Sequence, residues 1–336
     1  MPKPIVDVRD LHVAFETHEG RFSALNAVDL AINEGEIIAL VGESGCGKTT
    51  LALTLIGLLP KPPAKILSGE IWFKGQNLAT FSDKQMEKVR GTGISMIFQE
   101  PLTSLDPLFT VGDQLKEAIR VRMNRIDKKE PGGADGRLKV SASNLRDEAI
   151  KWLKKVELPD PENSMDYHPH ELSGGMRQRI MIAMALAEQP ALILADEPTS
   201  ALDVTIQAQI LKLMHSLTNE LHTSVLFISH DLTVVAQIAE RVGVMYTGII
   251  VEDAPINEIF ENPLHPYTQA LIKSLPSEGR QKHHLETIPG SVPSLTTLPT
   301  NCAFSSRCKY VTEKCKTNLP KLKEVSPRHR VACFLY

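Results

Sequence analysis

The sequence predicts an α/β fold preceded by an antiparallel subdomain. Three observations carry that expectation. Short, almost wholly apolar runs at residues 37–41, 191–195 and 224–229 have the composition of strands buried on both faces. Each leads into a segment of helical character, and such alternation builds a sheet with helices packed on it. The first 40 residues differ: their apolar positions recur at period two, as in a half-exposed antiparallel sheet.

That alternation runs through Val6, Val8, Leu11, Val13 and Phe15, then through Ala24, Ala27, Leu30 and Ile32. After the buried run at 37–41 comes a glycine-rich turn, then a helix expected from about residue 48 to 58. Pro60, Pro62 and Pro63 stop it, since proline lacks the N–H that a helix needs. Residues 69–99 return to strands, including 69–73 and 94–99. From about 111 to 188 the pattern is mostly helical. Residues 125–143 interrupt it, and the run from Lys128 to Gly136 with its Pro131, Gly132 and Gly133 reads as a mobile surface loop. Beyond about 255, proline and polar residues dominate, which marks a separate C-terminal extension. No internal repeat is visible.

Composition narrows the function. The chain has 336 residues, of which 42% are hydrophobic, too many for a disordered chain. A net charge of −3 supplies no basic field for nucleic acid. The longest apolar runs, 51–59 and 180–187, fall far short of the roughly 20 residues that span a bilayer. The opening Met1-Pro2-Lys3-Pro4 lacks the apolar stretch of a signal peptide. The chain is therefore expected in the cytoplasm, and a role at a membrane requires a partner that spans it.

Gly42-Glu43-Ser44-Gly45-Cys46-Gly47-Lys48-Thr49 follows the pattern G-x-x-x-x-G-K-[ST] between a buried strand and a helix. The glycines let the backbone curl so that successive N–H groups point at phosphate oxygens, and the helix that follows, with Thr50 in its first turn, adds the positive end of its dipole. Lys48 would neutralise the outer phosphates of ATP, and the Thr49 hydroxyl would ligate Mg²⁺. Cys46 fills a variable loop position, where its thiol could make the site sensitive to thiol reagents. A second apolar strand ends in Asp196-Glu197. Asp196 can hold Mg²⁺ through water, and Glu197 can polarise the attacking water.

Leu172-Ser173-Gly174-Gly175-Met176-Arg177-Gln178-Arg179 resembles the signature motif of ATP-binding-cassette ATPases, and it stands between the phosphate loop and the acidic strand in that family's order. Gln99 resembles the family's Q-loop glutamine, Ser200-Ala201-Leu202-Asp203 its D-loop, and His230 its switch histidine. Phe15 stands where the family places an adenine-stacking ring. The resemblance covers roughly residues 4–255. It implies a nucleotide-binding domain over 1–255, with a helical signature subdomain at about 100–188. It also implies that Ser173, Gly174, Gly175 and Asp203 serve the nucleotide of a second cassette. His230 would hold the γ-phosphate and the water in line. Gln99 would sense that phosphate and its Mg²⁺ and relay the state to membrane-spanning subunits.

Within that family, three runs resemble the ATPases of dipeptide, oligopeptide and nickel importers: 98–107 (Phe-Gln-Glu-Pro-Leu-Thr-Ser-Leu-Asp-Pro), 201–209 (Ala-Leu-Asp-Val-Thr-Ile-Gln-Ala-Gln) and 265–271 (His-Pro-Tyr-Thr-Gln-Ala-Leu). The implied assembly contains two cassettes of different sequence, two permeases and an extracytoplasmic solute-binding protein, with this chain on the cytoplasmic face of the membrane. Peptide is the first choice of solute, ahead of nickel chelates and oligosaccharides. The alternative is a soluble cassette ATPase of translation or repair. Against it, the chain holds one cassette, and 147 residues separate Lys48 from Asp196 without sustained heptads. A regulatory module that binds ATP but barely hydrolyses it would not need Glu197 and His230.

Four of the five cysteines, Cys302, Cys308, Cys315 and Cys333, crowd the last 35 residues of the extension 256–336. A reducing cytoplasm disfavours disulfides, and so small a lobe needs a staple. The spacing C-x5-C-x6-C-x17-C contains no short zinc knuckle, yet both zinc and a [4Fe–4S] cluster suit four thiolates. Residues 301–308 resemble the C-terminal cysteine motif of peptide-importer ATPases, and the resemblance favours iron–sulfur. His265 reads as a capping or packing residue beside proline, and His168 and His170 lack further ligands nearby in sequence.

Overall fold

The computed structural model describes residues 4–18, 20–100, 104–127, 142–275, 288–290 and 300–336. They form two compact units, one from residues 1–82 and 226–336, the other from 83–225.

In the first unit, Pro4–Thr17, Gly20–Asn33, Ala64–Phe73 and Gln76–Asn77 make an antiparallel sheet in which the first strand lies between the second and third. Val6, Val8, Leu11 and Val13 are essentially inaccessible, as the period-two reading requires. The pattern jumps from Val8 to Leu11 because the register shifts there in both ladders, and a bulge puts a residue out of step. Gly69 is required at this point. It sits at φ 100°, and a Cβ there would lie 2.5 Å from the Asp10 carbonyl oxygen.

Ile37–Val41 is buried at all five positions and runs parallel to Arg241–Tyr246. The helix Lys48–Ile56 follows it. That helix ends on Gly57, in left-handed conformation, whose N–H bonds back to Leu53 and Thr54. The glycine cap thus stops the helix before the three prolines are reached.

The strands Arg241–Tyr246 and Ile249–Pro255 escape the sequence reading, because Arg241, Glu252 and Asp253 interrupt the apolar pattern. All three are buried and all three are paired. Arg241 bridges Glu36 at 2.7 Å and Asp253 at 2.9 Å. Glu252 accepts from the Leu264 and His265 N–H groups and lies 2.8 Å from His329 Nε2. Burial raises the Glu36 pKa, but the hydrogen bond and charge of Arg241 outweigh it and hold the carboxyl below its ordinary value. Buried charges persist only when satisfied in this way.

The C-terminal residues set apart by the sequence reading extend the sheet that holds Ile37–Val41, Arg241–Tyr246 and Ile249–Pro255. His329–Val331 pairs with Ile249–Pro255, and Lys323–Ser326 pairs with His329–Val331. Phe304 meets Tyr246 edge-on at 5.3 Å and Tyr267 at 5.5 Å.

The second unit pairs Ile94–Ile97 parallel with Leu192–Asp196. Its main helices are Val111–Asp127, Ala142–Lys155, Gly174–Ala187 and Val204–Leu221. Val111, Leu115, Ile119, Ala149, Leu153, Ile180 and Ala183 are fully buried. Two expectations are corrected here. The stretch 69–99 contains a helix, Asp83–Val89, whose two buried apolar residues, Met86 and Val89, are too few to announce it. The strand expected at 94–99 stops at Ile97, so Gln99 lies two residues beyond its end. Most of the predicted surface loop, 128–141, lies outside the described residues, as do residues 101–103. Among the described residues, no helix is long and apolar enough to cross a membrane.

Candidate nucleotide site

The phosphate loop belongs to the first unit. Gly42 packs so closely that a Cβ would stand 2.1 Å from the Met245 carbonyl oxygen, and one on Gly47, at φ 105°, would stand 2.7 Å from that of Ala24. Gly47 is also the N-cap of Lys48–Ile56 and offers no side-chain cap, at a helix start whose dipole suits an anion. Lys48 is buried, and its ammonium donates to the carbonyls of Gly42 at 2.8 Å and Glu43 at 3.0 Å. It is thus parked on the loop whose phosphate it is expected to meet. Ser44, Gly45 and Thr49 are exposed, and Thr50 is half-buried.

Cys46 is 1% exposed, and burial pushes its thiol pKa up. Accessible thiolate, the form that reacts, is therefore not presented, contrary to the sensitivity expected from sequence. Phe15 is half-buried and faces Phe22 across the first hairpin. His230 is exposed one residue past Ser224–Ser229, and Asp231 beside it caps Leu232–Val235 through the Thr233 N–H.

In the second unit, Asp196 is buried at the end of its strand. Glu197 follows at φ 45°, a left-handed conformation that is strained for a residue with a Cβ. The Gln99 amide donates to the Glu197 carboxylate at 3.0 Å, so two residues 98 apart in sequence meet. Ser173 caps Gly174–Ala187 by accepting from the Met176 N–H at 3.3 Å. A Cβ on Gly174 would meet only Leu202, at 3.9 Å, and one on Gly175 would meet Ile206 at 3.0 Å. The helix start therefore presents bare backbone. Asp203 caps Val204–Leu221 through the Ile206 N–H at 3.0 Å.

The same unit exposes Leu108 at 81% and Phe109 at 54%. Phe109 lines a cavity of about 620 Å³ together with Asp106, Gln114, Glu117, Arg120 and Met184. The sequence reading quotes the run 98–107 and misses these two apolar residues directly after it.

His265 caps Pro266–Lys273, with Nδ1 accepting from the Tyr267 N–H at 3.0 Å. Burial lowers its pKa to about 3, as suits a neutral acceptor. His168 and His170 stack at 5.6 Å, and His168 donates its backbone N–H to Glu171.

The four C-terminal cysteines, none disulfide-bonded, line one cavity of about 10 Å³ with Phe304 and Tyr310. Burial pushes Cys302 up to about 11, and the charges of Cys315, Cys333 and Cys308 add to it. Burial also raises Cys308 and Cys333. As placed, no three His, Cys, Asp or Glu side chains among the described residues are grouped to hold a metal, so the expected metal-binding extension is not shown. The donor set still fits one in kind: four thiols converge, and a cation would supply the charge that favours thiolate.

Sequence reasoning missed Arg307. Its side chain is 5% exposed, and its guanidinium meets the Glu43 carboxylate at 2.9 and 3.1 Å. No local pattern joins residues 264 apart.

Comparison with known proteins gives two family matches. Residues 25–200 match the ABC transporter model, and residues 251–315 match the oligopeptide/dipeptide transporter C-terminal region. A "probable peptide ABC transporter ATP-binding protein" of Sinorhizobium fredii is 47% identical over 98% of this chain and 94% of its own length. The oligopeptide transport ATP-binding protein OppD of Bacillus subtilis is 44% identical over 98% of this chain and 88% of its own length. Among solved structures, a dimeric, post-hydrolysis ATP-binding cassette bound to ADP and phosphate superposes with a TM-score of 0.63. It is 29% identical and covers 75% of this chain and 98% of that one.

Proposed function

This chain belongs to the ATP-binding-cassette transporter family, and from that premise we propose that it hydrolyses ATP to power import of di- and oligopeptides through separate permeases. The match of residues 251–315 to the oligopeptide/dipeptide transporter C-terminal region carries the choice of solute. In this reading residues 1–255 are the cassette, with a helical subdomain at about 100–188, and 256–336 the importer-type extension.

Gly42 to Thr50 hold the ATP phosphates, Phe15 stacks on adenine, and Thr49, Gln99 and Asp196 serve Mg²⁺, whose charge offsets that of the phosphates. Glu197 orients the attacking water, with Gln99 hydrogen-bonded to it. His230 contacts the γ-phosphate. Ser173, Gly174, Gly175 and Asp203 complete the site of a second, different cassette. The exposed Leu108 and Phe109, beside a cavity of about 620 Å³, suit contact with a permease at the cytoplasmic face. An extracytoplasmic binding protein delivers the solute. The test is reconstitution in vesicles with the permeases and binding protein of the same genome. ATP-dependent uptake of a labelled dipeptide is expected. Uptake of nickel or an oligosaccharide instead would replace the solute.

We assign the four thiols to a [4Fe–4S] cluster, with zinc as the alternative, in a structural or regulatory role, since phosphate chemistry needs no electron. Anaerobically purified protein should be brown, with about four iron and four sulfide per chain. Cys308→Ser should remove the colour and loosen the lobe, yet still permit ATP binding. Colourless protein with one tightly held zinc would sink the assignment.

A further inference from the structure

We propose that Arg307 is a positioning residue for the phosphate loop, through which the cysteine lobe sets the affinity for ATP. The inference rests on reading residues 42–49 as the ATP phosphate site.

Every polar group of Glu43 is engaged. Its carboxylate takes a two-pronged ion pair from Arg307, at 2.9 and 3.1 Å. Its N–H donates to the Tyr267 hydroxyl at 3.0 Å, and its carbonyl accepts from Lys48 at 3.0 Å. The loop's second residue is thus held by two side chains of the C-terminal region, while its carbonyl holds the lysine that the phosphates must recruit. Arg307 is itself fixed on its other edges. It donates to the carbonyls of Pro289 at 2.9 Å and Ile288 at 3.3 Å, and to the Tyr246 hydroxyl at 3.3 Å.

Chain connectivity ties that grip to the thiols. Arg307 immediately precedes Cys308, and its N–H bonds to the carbonyl of Phe304, two residues after Cys302. Phe304 packs against Tyr246, Tyr267 and His265 and also lines the cysteine cavity. A shift of the cysteine loops therefore moves Arg307, and Arg307 moves Glu43. A planar fork on a carboxylate transmits position as well as charge, which a single ammonium does not.

Two consequences separate this from simple neutralisation of Glu43. If Arg307 only masked a negative charge, Glu43→Gln would tighten ATP binding. If it positions the loop, Glu43→Gln loosens it. The experiment titrates the isolated, metal-containing full chain with a fluorescent ATP analogue and records the melting midpoint of each nucleotide-free variant. Arg307→Lys and Glu43→Gln should each weaken binding about tenfold, within the usual range of site-to-site coupling. The double variant should be no weaker than either single one, because both break the same grip. A purely structural role would lower the melting midpoint and leave the affinity unchanged. Wild-type affinity in both single variants, additive losses, or tighter binding by Glu43→Gln would each overturn the proposal. Lys48→Ala serves as the reference. If it binds the analogue like wild type, the phosphate-loop reading itself fails, whatever Arg307 does.

Discussion

Glu197→Gln should slow ATP turnover by at least about a hundredfold, the low end for loss of a positioned general base, while ATP still binds. The substitution keeps the size of the side chain and an oxygen for the Gln99 amide, now at 3.0 Å from the carboxylate. It removes the negative charge that, in the proposed role, draws a proton from the attacking water, and turns one acceptor oxygen into an NH₂ donor. The backbone bears on the choice of residue. Glu197 sits at φ 45°, and the cost of that conformation is tolerated where it aims a functional side chain. Glutamine meets the same strain, so the fold should be undisturbed. Phosphate release measured on the assembled complex reads the loss, and binding of a fluorescent ATP analogue reads what is kept. With hydrolysis blocked, ATP should also hold two cassettes together, visible as a shift on size exclusion. Near-wild-type phosphate release would remove Glu197 from the mechanism.

Gly175→Asp should abolish turnover to a similar extent without weakening ATP binding by an isolated subunit. A Cβ at Gly175 would stand 3.0 Å from the Cγ2 methyl of Ile206, a tight contact that a shift of a few tenths of an ångström would relieve, so sterics alone predict a modest effect. The charge decides the outcome. An acid in the first turn of Gly174–Ala187 suits the helix dipole and should leave the folded chain intact. The same charge would repel a triphosphate if, as proposed, a second cassette brings one to that helix start. Gly175→Ala separates the two contributions and should retain much of the activity, whereas Ser173→Arg should mimic the aspartate by bulk. Loss of ATP affinity in the monomeric Gly175→Asp subunit would end the case for a site completed in trans.

Much of the architecture was legible because it depends on neighbours in sequence. The phosphate loop is recognisable because its glycines stand at fixed short spacing just before Lys48 and Thr49. His265 could be read as a capping residue because an N-cap bonds to N–H groups two or three residues on. Other features failed for equally definite reasons. The strands Arg241–Tyr246 and Ile249–Pro255 looked too charged to be buried, and only the ion pairs to Glu36, Arg330 and His329 make them core. Burial of Cys46 likewise depends on what packs around the loop.

The α/β class, the glycine-rich loop before Lys48, the Asp196-Glu197 pair and the cysteine spacing can be read along the chain, because each depends on residues close in sequence. Tertiary structure alone decided that Gln99 meets Glu197, that the C-terminal strands join the sheet that holds Ile37–Val41, that four distant thiols share one cavity, and that Arg307 grips Glu43. Those contacts join residues up to 264 apart. Desolvating those charges costs free energy that only the right partner offsets, and no local pattern in a chain records which desolvated group will find which.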